Sequence, residues 1–263
     1  MFVPKEVSKY IDGMTVSQNE VGCTQAKVYR FSDNTGNALY LKVDKADEVF
    51  RRERDALLWL DGKVPVPHVK CWHEQDDFAY LLMTEAQGHM CCCGETDTVR
   101  KPVENTIKLL ANGLLALQDI DISDCPFDNT LESKLKLALY NIENNLVDMD
   151  GWESNNNFDS PVTLYNWLDK SRPKEDLCFS HGDYCLPNIF IDDTKISGFI
   201  DVGRGGVADK YQDIALCVRS IGYNLRELEQ AEKDKCITLL FSHLGITPDW
   251  NKINYYILLD ELF

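Results

Sequence analysis

The sequence predicts an α+β protein of two lobes, a small β-rich N-terminal lobe with one helix and a larger, mainly helical C-terminal lobe. Hydrophobic residues alternate with polar ones in short runs before residue 85, whereas after residue 88 they recur at spacings of three and four. The chain has 263 residues, of which 44% are hydrophobic, so each lobe can bury a core. We therefore expect an N-terminal lobe at residues 1–84, a hinge at 85–88 and a C-terminal lobe at 89–263.

The N-terminal lobe is predicted to be a sheet with one helix. Residues 21–43 form two predicted strands around the polar turn SDNTGN. A helical pattern follows from about Ala46 to Leu60, and Asp61-Gly62 ends it. Two more predicted strands, PHVKCWH and FAYLLMTEA, are joined at Glu74–Asp77. These runs give the lobe its β-rich character.

The C-terminal lobe is predicted to be mainly helical. Residues 102–118 and 131–147 have the periodicity of amphipathic helices. The segment SPVTLYNWL predicts a third helix with Ser160-Pro161 at its start, a cap followed by proline in the first turn. Short apolar runs between 178 and 201 predict small strands beside loops. A helical pattern returns from about residue 209.

Charge limits the possible partners of the chain. Acidic residues outnumber basic ones by 43 to 27, a net charge of −16, and such a chain repels nucleic acid and anionic membranes. Residues 1–84 carry 11 basic and 13 acidic side chains, whereas residues 85–263 carry 16 basic and 30 acidic ones. The excess either serves solubility alone or forms an acidic cleft for a cationic substrate in the C-terminal lobe.

The cysteine content and the absence of targeting signals indicate the cytoplasm. No apolar run of the sequence is long enough to span a membrane, and the segment MFVPKEVSKYIDGM lacks the pattern of an export signal. The ten cysteines include no C-x-x-C pair and are interpreted as small buried residues in a reducing compartment. A zinc site built from the Cys91–Cys93 run and His89 is the alternative for that segment.

The segment FSHGDYCLPNIFIDDTKISGFIDVGR, residues 179–204, carries the strongest functional signal. Asp183 and Asn188 lie five positions apart on a loop, and Asp201 follows an apolar run. Phosphoryl transfer from a nucleotide needs a carboxylate that orients the attacking hydroxyl, and an amide oxygen and a second carboxylate that hold Mg²⁺. The order Asp, Asn, Asp is that of kinases. Each residue alone has a structural alternative: Asp183 as a turn cap, Asn188 in a left-handed turn, and His181 as a core histidine.

An upstream lysine and glutamate fit the same chemistry. Lys42 ends the apolar run ALYLKV, where an unpaired ammonium would be costly, and Glu53 follows on the predicted helix. Such a pair would fix the ammonium toward nucleotide phosphates. The alternative is an exposed strand-end lysine and a solvated glutamate. A complete glycine-rich phosphate loop is absent, but backbone N–H groups after Gly22 and the Thr24 hydroxyl could cover phosphates.

Several longer segments carry a resemblance to a known family: EVGCTQAKVYRF, LYLKV, RRERDALLWLDGKVPVP, LLMTEAQG, DIDISDCPF, HGDYCLPNIF, SGFIDVGRGGVADKYQDIALCVRSI and YYILLDELF. Nearly end to end, the chain resembles the aminoglycoside phosphotransferases, most closely the 3′-phosphotransferases that confer kanamycin and neomycin resistance. This resemblance implies a protein-kinase-like fold, Mg²⁺-ATP as phosphate donor, and transfer of the γ-phosphate to the 3′-hydroxyl of a polycationic antibiotic.

The resemblance also implies roles for particular residues. Asp183 corresponds to the catalytic residue, and Asn188 and Asp201 correspond to the metal ligands. The nucleotide-binding positions fall on Lys42, its partner Glu53, the adenine-stacking Tyr40, the hinge residues Thr84 and Ala86, Met83 behind them, and Thr24. Core packing is the alternative for Tyr40 and Met83.

Carboxylates are implied to bind the ammonium groups of the drug. The implied substrate-binding positions, with Arg204 organising the carboxylates, are Asp150, Glu153, Asp183, Asp260, Glu261 and Phe263 with its α-carboxylate. The latter role requires that the chain end at Phe263. We further expect a cytoplasmic monomer or weak homodimer with no nucleic-acid or membrane partner.

The catalytic loop departs from the branch that the rest of the chain resembles, and two other functions stay open. Leu186 stands where that branch has a more acidic loop, so one drug-binding carboxylate is absent. The first alternative function is a kinase of the same architecture for choline, a sugar or a macrolide. The second is a nucleotide-binding pseudokinase that regulates a partner, which the presence of all five catalytic-type residues disfavours.

Overall fold

The computed structural model describes residues 3–19, 26–91, 103–149, 152, 158–225 and 228–263. The described residues form two compact units. The N-terminal unit consists of residues up to 89 together with 190–192 and 197–204, and the C-terminal unit contains residues 90–189, 193–196 and 205–263. The first is mainly sheet and the second mainly helix, which confirms the predicted α+β class of two lobes. The boundaries at residues 84 and 88 stay a prediction.

The N-terminal unit is built on a five-stranded antiparallel sheet. Its strands lie in the order β1-β2-β3-β5-β4. The Asp33 carboxylate closes the β2–β3 turn by accepting hydrogen bonds from the Thr35 and Asn37 backbone N–H groups. Hydrogen bonds from the side chains of Thr35 and Asn37, and to a smaller extent these backbone bonds, lower the pKa of Asp33 to about 2. The strands are β1 (Thr15–Asn19), β2 (Lys27–Ser32), β3 (Ala38–Lys45), β4 (Val69–Gln75) and β5 (Phe78–Thr84).

A short helix and a strand that the sequence analysis did not predict complete this unit. Helix α1 (Lys5–Ile11) packs Val7 and Ile11 against Phe31, Leu41 and Leu82, and β1 pairs with β2. A helix of two turns shows only one apolar pair at a spacing of four, too little to reveal a period. The N-terminal core is therefore larger than predicted.

Helix α2 (Glu48–Leu60) agrees with its predicted extent within two residues. It begins at Asp47, whose side chain accepts a hydrogen bond from the Phe50 backbone N–H. It ends at Asp61, and Gly62 adopts a φ of 81°, a left-handed conformation that favours glycine. The helix therefore begins and ends where its local sequence provides caps.

Helices dominate the C-terminal unit. Helix α5 begins as predicted, because Ser160 and Thr163 form a reciprocal cap ahead of the first turn. Helix α4 is shorter than predicted and ends at Glu143, since Asn145 has a φ of 55° that no helix can continue. The helices are α3 (Val103–Gln118), α4 (Leu131–Glu143), α5 (Pro161–Lys170), α6 (Tyr211–Asn224), α7 (Gln230–Leu244) and α8 (Trp250–Asp260).

Short strands flank the predicted functional segment. Strands β7 (Leu177–Ser180) and β10 (Gly206–Asp209) pair antiparallel in the C-terminal unit. A 3₁₀ turn at Leu186–Asn188 leads into β8 (Ile189–Ile191). Strands β6 (His89–Met90), β8 and β9 (Ile196–Phe199) are divided between the two units.

No helix of the described residues is long and apolar enough to cross a membrane. Among the described residues, the cysteines at positions 71, 91, 125, 178, 185, 217 and 236 form no disulfide. Within the described ranges, no group of three or more His, Cys, Asp or Glu side chains is arranged to hold a metal ion. Cys92 and Cys93 of the alternative zinc site lie outside the described residues, so that hypothesis stays a prediction.

Candidate active site

Three predicted site residues form an ionic cluster in the N-terminal unit. The Lys42 ammonium, on β3, donates hydrogen bonds to both carboxylate oxygens of Glu53 on α2, at 2.9 and 2.8 Å. It also donates to Asp201 Oδ1 at 2.9 Å. Lys42 and Glu53 are each only 8% exposed. The strand-end and solvated alternatives for this pair are therefore wrong.

The cluster keeps Lys42 charged in spite of its burial. Removing an ammonium from water favours its neutral form, but the carboxylates of Glu53 and Asp201 outweigh this and raise the pKa of Lys42. The cation is thus held in place within a site of low exposure. A charged group held in this way is suited to bind phosphate oxygens without further reorganisation.

Asp201 differs from Glu53 in its exposure and its backbone. Its side chain is 47% exposed, and its φ of 54° lies in the left-handed region that non-glycine residues seldom adopt. The turn that follows lies close to α2, since a Cβ on Gly203 would lie 3.1 Å from the Glu53 Cβ. One Asp201 oxygen accepts from Lys42, and the other has no hydrogen-bond partner among the described residues. That second oxygen is available to a further cation.

The predicted adenine-side residues lie on the β3 and β5 strands. Tyr40 is directly opposite Met83 across the two strands, and burial raises the pKa of Tyr40. The Thr84 backbone N–H is already donated to the His68 carbonyl at 3.0 Å. The Ala86 N–H has no hydrogen-bond partner in the described part of the chain, and so remains available to a ligand.

Asp183 and Asn188 meet in the C-terminal unit. The Asn188 side-chain amide donates to the Asp183 backbone carbonyl at 3.1 Å and to Asp183 Oδ2 at 3.0 Å. Asn188 is 7% exposed, whereas Asp183 is partly exposed. Because the amide nitrogen of Asn188 is engaged with Asp183, its amide oxygen faces away from it. The loop thus presents a carboxylate and an amide oxygen together.

A residue that the sequence analysis missed holds this loop. Asp213, on α6, is 3% exposed and accepts hydrogen bonds from the Ser180 hydroxyl at 2.8 Å and from the His181 and Gly182 N–H groups at 2.6 and 3.0 Å. Burial raises the pKa of Asp213, and these donors act in the opposite direction. An aspartate inside the apolar helical run YQDIALCV was the signal that could have revealed it.

Two further contacts complete the support of the loop. The Ser220 hydroxyl, two turns after Asp213 on α6, accepts a hydrogen bond from the Leu186 N–H at 2.8 Å. His181 is fully buried and its Nδ1 accepts from the Asp183 N–H at 3.3 Å. The interpretation of His181 as a core histidine is consistent with this position.

An acidic segment ends α8 in the same unit. The Asp260 side chain accepts a hydrogen bond from Arg219 of α6, and Glu261 follows it. The Asn141 side-chain amide donates to the Leu262 carbonyl at 2.9 Å, and the Lys134 ammonium lies 4.8 Å from the centre of the Phe263 ring. These contacts fix the position of the segment within its unit.

Of the remaining predicted residues, one lies in the N-terminal unit and three lie outside the described residues. Arg204 is exposed and belongs to the N-terminal unit, at the end of the 3₁₀ turn Val202–Arg204. Thr24, Asp150 and Glu153 lie outside the described residues. Their roles stay predictions.

Similarity to known proteins identifies the family of the chain. Residues 15–236 match the model of the phosphotransferase enzyme family (APH). The chain is 43% identical to an aminoglycoside 3′-phosphotransferase of Enterococcus faecalis, covering 100% of this chain and 99% of the relative. It is 42% identical to one of Staphylococcus aureus, with the same coverage.

Solved structures share the fold. The crystal structure of an aminoglycoside-3′-phosphotransferase of type VIII superposes with a TM-score of 0.82 at 27% identity, covering 97% of this chain and 96% of that one. An aminoglycoside phosphotransferase of Streptomyces rimosus, solved in complex with ADP and streptomycin, gives 0.78 at 24% identity, with 98% and 96% coverage. These matches confirm the predicted fold class.

Proposed function

This chain belongs to the phosphotransferase enzyme family, and we propose that it transfers the γ-phosphate of ATP to the 3′-hydroxyl of an aminoglycoside. The acceptor is of the kanamycin or neomycin type, and its phosphorylation confers resistance. The observation that carries the proposal is the Asp183–Asn188 pair, in a chain similar over its whole length to enzymes of that name. The Streptomyces rimosus neighbour, solved with ADP and streptomycin, supports a nucleotide and an aminoglycoside as the ligand classes.

Asp183 is assigned the role of general base. Its carboxylate orients the acceptor hydroxyl and takes the proton of that hydroxyl as the new O–P bond forms and the bond from the γ-phosphorus to the leaving oxygen breaks. The hydrogen bond that the Asn188 side-chain amide donates to Asp183 Oδ2 fixes the carboxylate, so the protein orients one of its two oxygens. The hydrogen bonds of Asp213 keep the loop that carries both residues in one conformation.

We assign nucleotide binding to the N-terminal unit. Lys42 binds phosphate oxygens, and Glu53 keeps the ammonium in place. The Ala86 N–H is available to the adenine base, Tyr40 stacks on the adenine ring, and Met83 lies opposite Tyr40 on the neighbouring strand. Thr84 and the loop residue Thr24 complete the assignment as predicted from the sequence.

Asn188 and Asp201 fit the requirements of Mg²⁺, and we assign the ion to them. Each residue offers an uncommitted side-chain oxygen within its own unit, the amide oxygen of Asn188 and the second carboxylate oxygen of Asp201. Oxygen donors of this kind are what this hard cation prefers. When bound, Mg²⁺ neutralises negative charge on the phosphates.

The acidic segment at the end of α8 is assigned to the acceptor. Asp260 and Glu261 offer carboxylates to the ammonium groups of a polycationic sugar, and charge-assisted hydrogen bonds of this kind contribute about 1.5–3 kcal/mol each. Arg204, Asp150, Glu153 and Phe263 keep their predicted places in this group. The finer kanamycin or neomycin spectrum follows from the resemblance alone.

We also propose that the enzyme acts in the cytoplasm as a monomer or weak homodimer, without nucleic-acid or membrane partners. The net charge of −16 supports the exclusion of polyanionic partners, because like charges repel. The free thiols among the described cysteines support a reducing compartment.

A direct assay tests the proposed function. The protein is incubated with kanamycin and Mg²⁺-ATP, and the product is analysed by mass spectrometry and ³¹P NMR. We expect kanamycin to gain one phosphate, attached at the 3′-oxygen. A reaction without nucleotide is the control. Unmodified kanamycin, or phosphate at another hydroxyl, would contradict the proposal, and a panel containing choline, sugars and a macrolide would then identify the acceptor class.

A further inference from the structure

Arg219 of α6 has no role in the function proposed above, although it contacts a residue of the acidic segment. Its guanidinium donates to Asp260 Oδ2. The side chains of Arg219 and Asp260 are 25% and 14% exposed, so both charges are largely removed from water. An ion pair at this depth is costly unless its geometry is good, and breaking it leaves one charge without compensation.

The charge of Arg219 interacts with two carboxylates besides Asp260. Burial acts against the guanidinium, yet the pKa of Arg219 is raised because Asp260, Glu261 and Asp183 all stabilise its charged form. These are the catalytic carboxylate and the two described acidic residues assigned to the acceptor. The charge of Arg219 is therefore stabilised by three carboxylates that the proposed function assigns to catalysis or acceptor binding.

The backbone near Asp260 is fixed by other residues. The Leu262 carbonyl is bound by Asn141 of α4, and the Tyr255 hydroxyl, one turn earlier on α8, donates to the Leu168 carbonyl at 3.0 Å. Ser220, the neighbour of Arg219, holds the catalytic loop through the Leu186 N–H. The segment and the loop each have their own anchors, so what Arg219 adds is control of the Asp260 side chain.

We propose that Arg219 is a positioning residue for acceptor binding, acting through Asp260. It holds this carboxylate in one orientation and limits its repulsion with Glu261, so that the ammonium groups of a polycationic acceptor meet a preformed acidic surface. Preorganisation of this kind increases affinity, because the carboxylate is already ordered before the acceptor binds and the free energy of binding is not spent on ordering it. This inference rests on the proposed function, since it requires a cationic acceptor.

Steady-state kinetics on Arg219→Met, with kanamycin and ATP varied in turn, test the inference. Methionine keeps much of the side-chain volume and removes the charge. We expect the KM for kanamycin to rise about tenfold, which corresponds to about 1.4 kcal/mol, because Asp260 stays present and loses only its fixed orientation. The kcat and the KM for ATP should stay within about twofold of wild type, because no group that contacts the phosphates changes. Arg219→Lys, which keeps the charge, should recover part of the loss.

A matched control is Arg172→Met. Arg172 also pairs with carboxylates, those of Glu132 and Asp169, but its side chain is 39% exposed. We expect this variant to keep the kinetic constants of the wild type. An equal rise of the kanamycin KM in both arginine variants would overturn the inference, because it would indicate a general effect of charge.

A double-mutant cycle separates positioning from a structural role. If Arg219 acts through Asp260, Arg219→Met should raise the kanamycin KM by less than about twofold when Asp260→Asn is already present. The same tenfold rise in both backgrounds, or a parallel loss of kcat and of ATP affinity, would overturn the inference. Should Arg219→Met not fold, the cycle is made with Arg219→Lys, and its coupling to Asp260→Asn decides in the same way.

The wild-type measurement distinguishes this inference from the proposed function. Wild-type protein that does not phosphorylate kanamycin would overturn the proposed function and the acceptor role of Arg219 with it. Wild-type activity combined with an unchanged or lowered kanamycin KM in Arg219→Met would overturn the role of Arg219 alone.

Discussion

The two units stabilise their buried charges in different ways. In the N-terminal unit, Lys42 is paired with Glu53 and Asp201, so charge is compensated by opposite charge. In the C-terminal unit, the Asp213 carboxylate accepts hydrogen bonds from two backbone N–H groups and the Ser180 hydroxyl, and the buried His181 also stabilises its charge. Lys42 retains a partner that is half exposed, whereas Asp213 and its donors are buried.

This difference indicates which group of buried charges can bind a ligand and which one supports the structure. An ion cluster with one exposed member can exchange a partner for a phosphate or a metal ion, because the new ligand replaces charge with charge. A buried carboxylate bound by backbone donors cannot be replaced without leaving those donors unsatisfied. We infer that the Lys42 cluster serves ligand binding directly and that Asp213 serves it only through the conformation of the loop.

The largest expected effect is at Asp183, on the catalytic loop that Asp213 holds through hydrogen bonds. Asp183→Ala should lower kcat by about 10²–10⁴-fold, the usual contribution of a general base. ATP affinity and the melting temperature should stay close to those of the wild type, because Asp183 is partly exposed. Turnover of kanamycin and binding of a fluorescent ATP analogue measure the two effects. Near-normal resistance of cells carrying the variant would remove Asp183 from this role.

Loss of Asp213 should be the most damaging change to stability. Asp213→Ala leaves the His181 N–H and the Ser180 hydroxyl without an acceptor and the Gly182 N–H with only the Ser180 oxygen, and should lower the free energy of unfolding by about 3 kcal/mol. Urea denaturation measures this loss. Asp213→Asn keeps one acceptor oxygen and should cost less. An Asp213→Ala protein as stable as the wild type would show that the loop does not depend on these bonds.

The Lys42 cluster should respond differently, because its charges can be removed together. Lys42→Met should raise the KM for ATP about tenfold or more, by loss of a charge-assisted contact, and should destabilise the protein by leaving Glu53 without its cation. The double variant Lys42→Met with Glu53→Gln should recover stability but not ATP affinity. Recovery of both would mean that the cluster is structural and does not bind the nucleotide.

Ionic strength should produce the smallest effect. Salt screens interactions between exposed charges that lie farther apart than the Debye length, which is about 8 Å at physiological ionic strength and shortens as salt is added, so kanamycin affinity should weaken several-fold between low and high salt. The unfolding free energy should change little, since Asp213 and Lys42 are buried. Isothermal titration calorimetry at several salt concentrations measures the affinity. A salt-independent affinity would contradict an acidic acceptor site.

Much of the fold and part of the candidate site could be predicted from the sequence. The extent of α2 and the start of α5 follow from local caps and periodicity, and the structure reproduces them. The pairing of Lys42 with Glu53 was also expected, because an ammonium in an apolar strand needs a partner. By contrast, α1 was missed because seven residues are too few to show a period, and α4 was overextended across Asn145.

The residue types that carry the chemistry, and their order, can be read from the amino-acid sequence: HGD, the asparagine five positions after its aspartate, and the later aspartate. Which distant groups meet depends on the fold: Lys42 meets Asp201, 159 positions away, and Asp213 meets the backbone of the catalytic loop. Local patterns report the neighbours of a residue within a few turns or strand positions. The partner of a buried charge depends on how remote segments of the chain pack against each other. The local periodicity of a sequence holds no information about that packing.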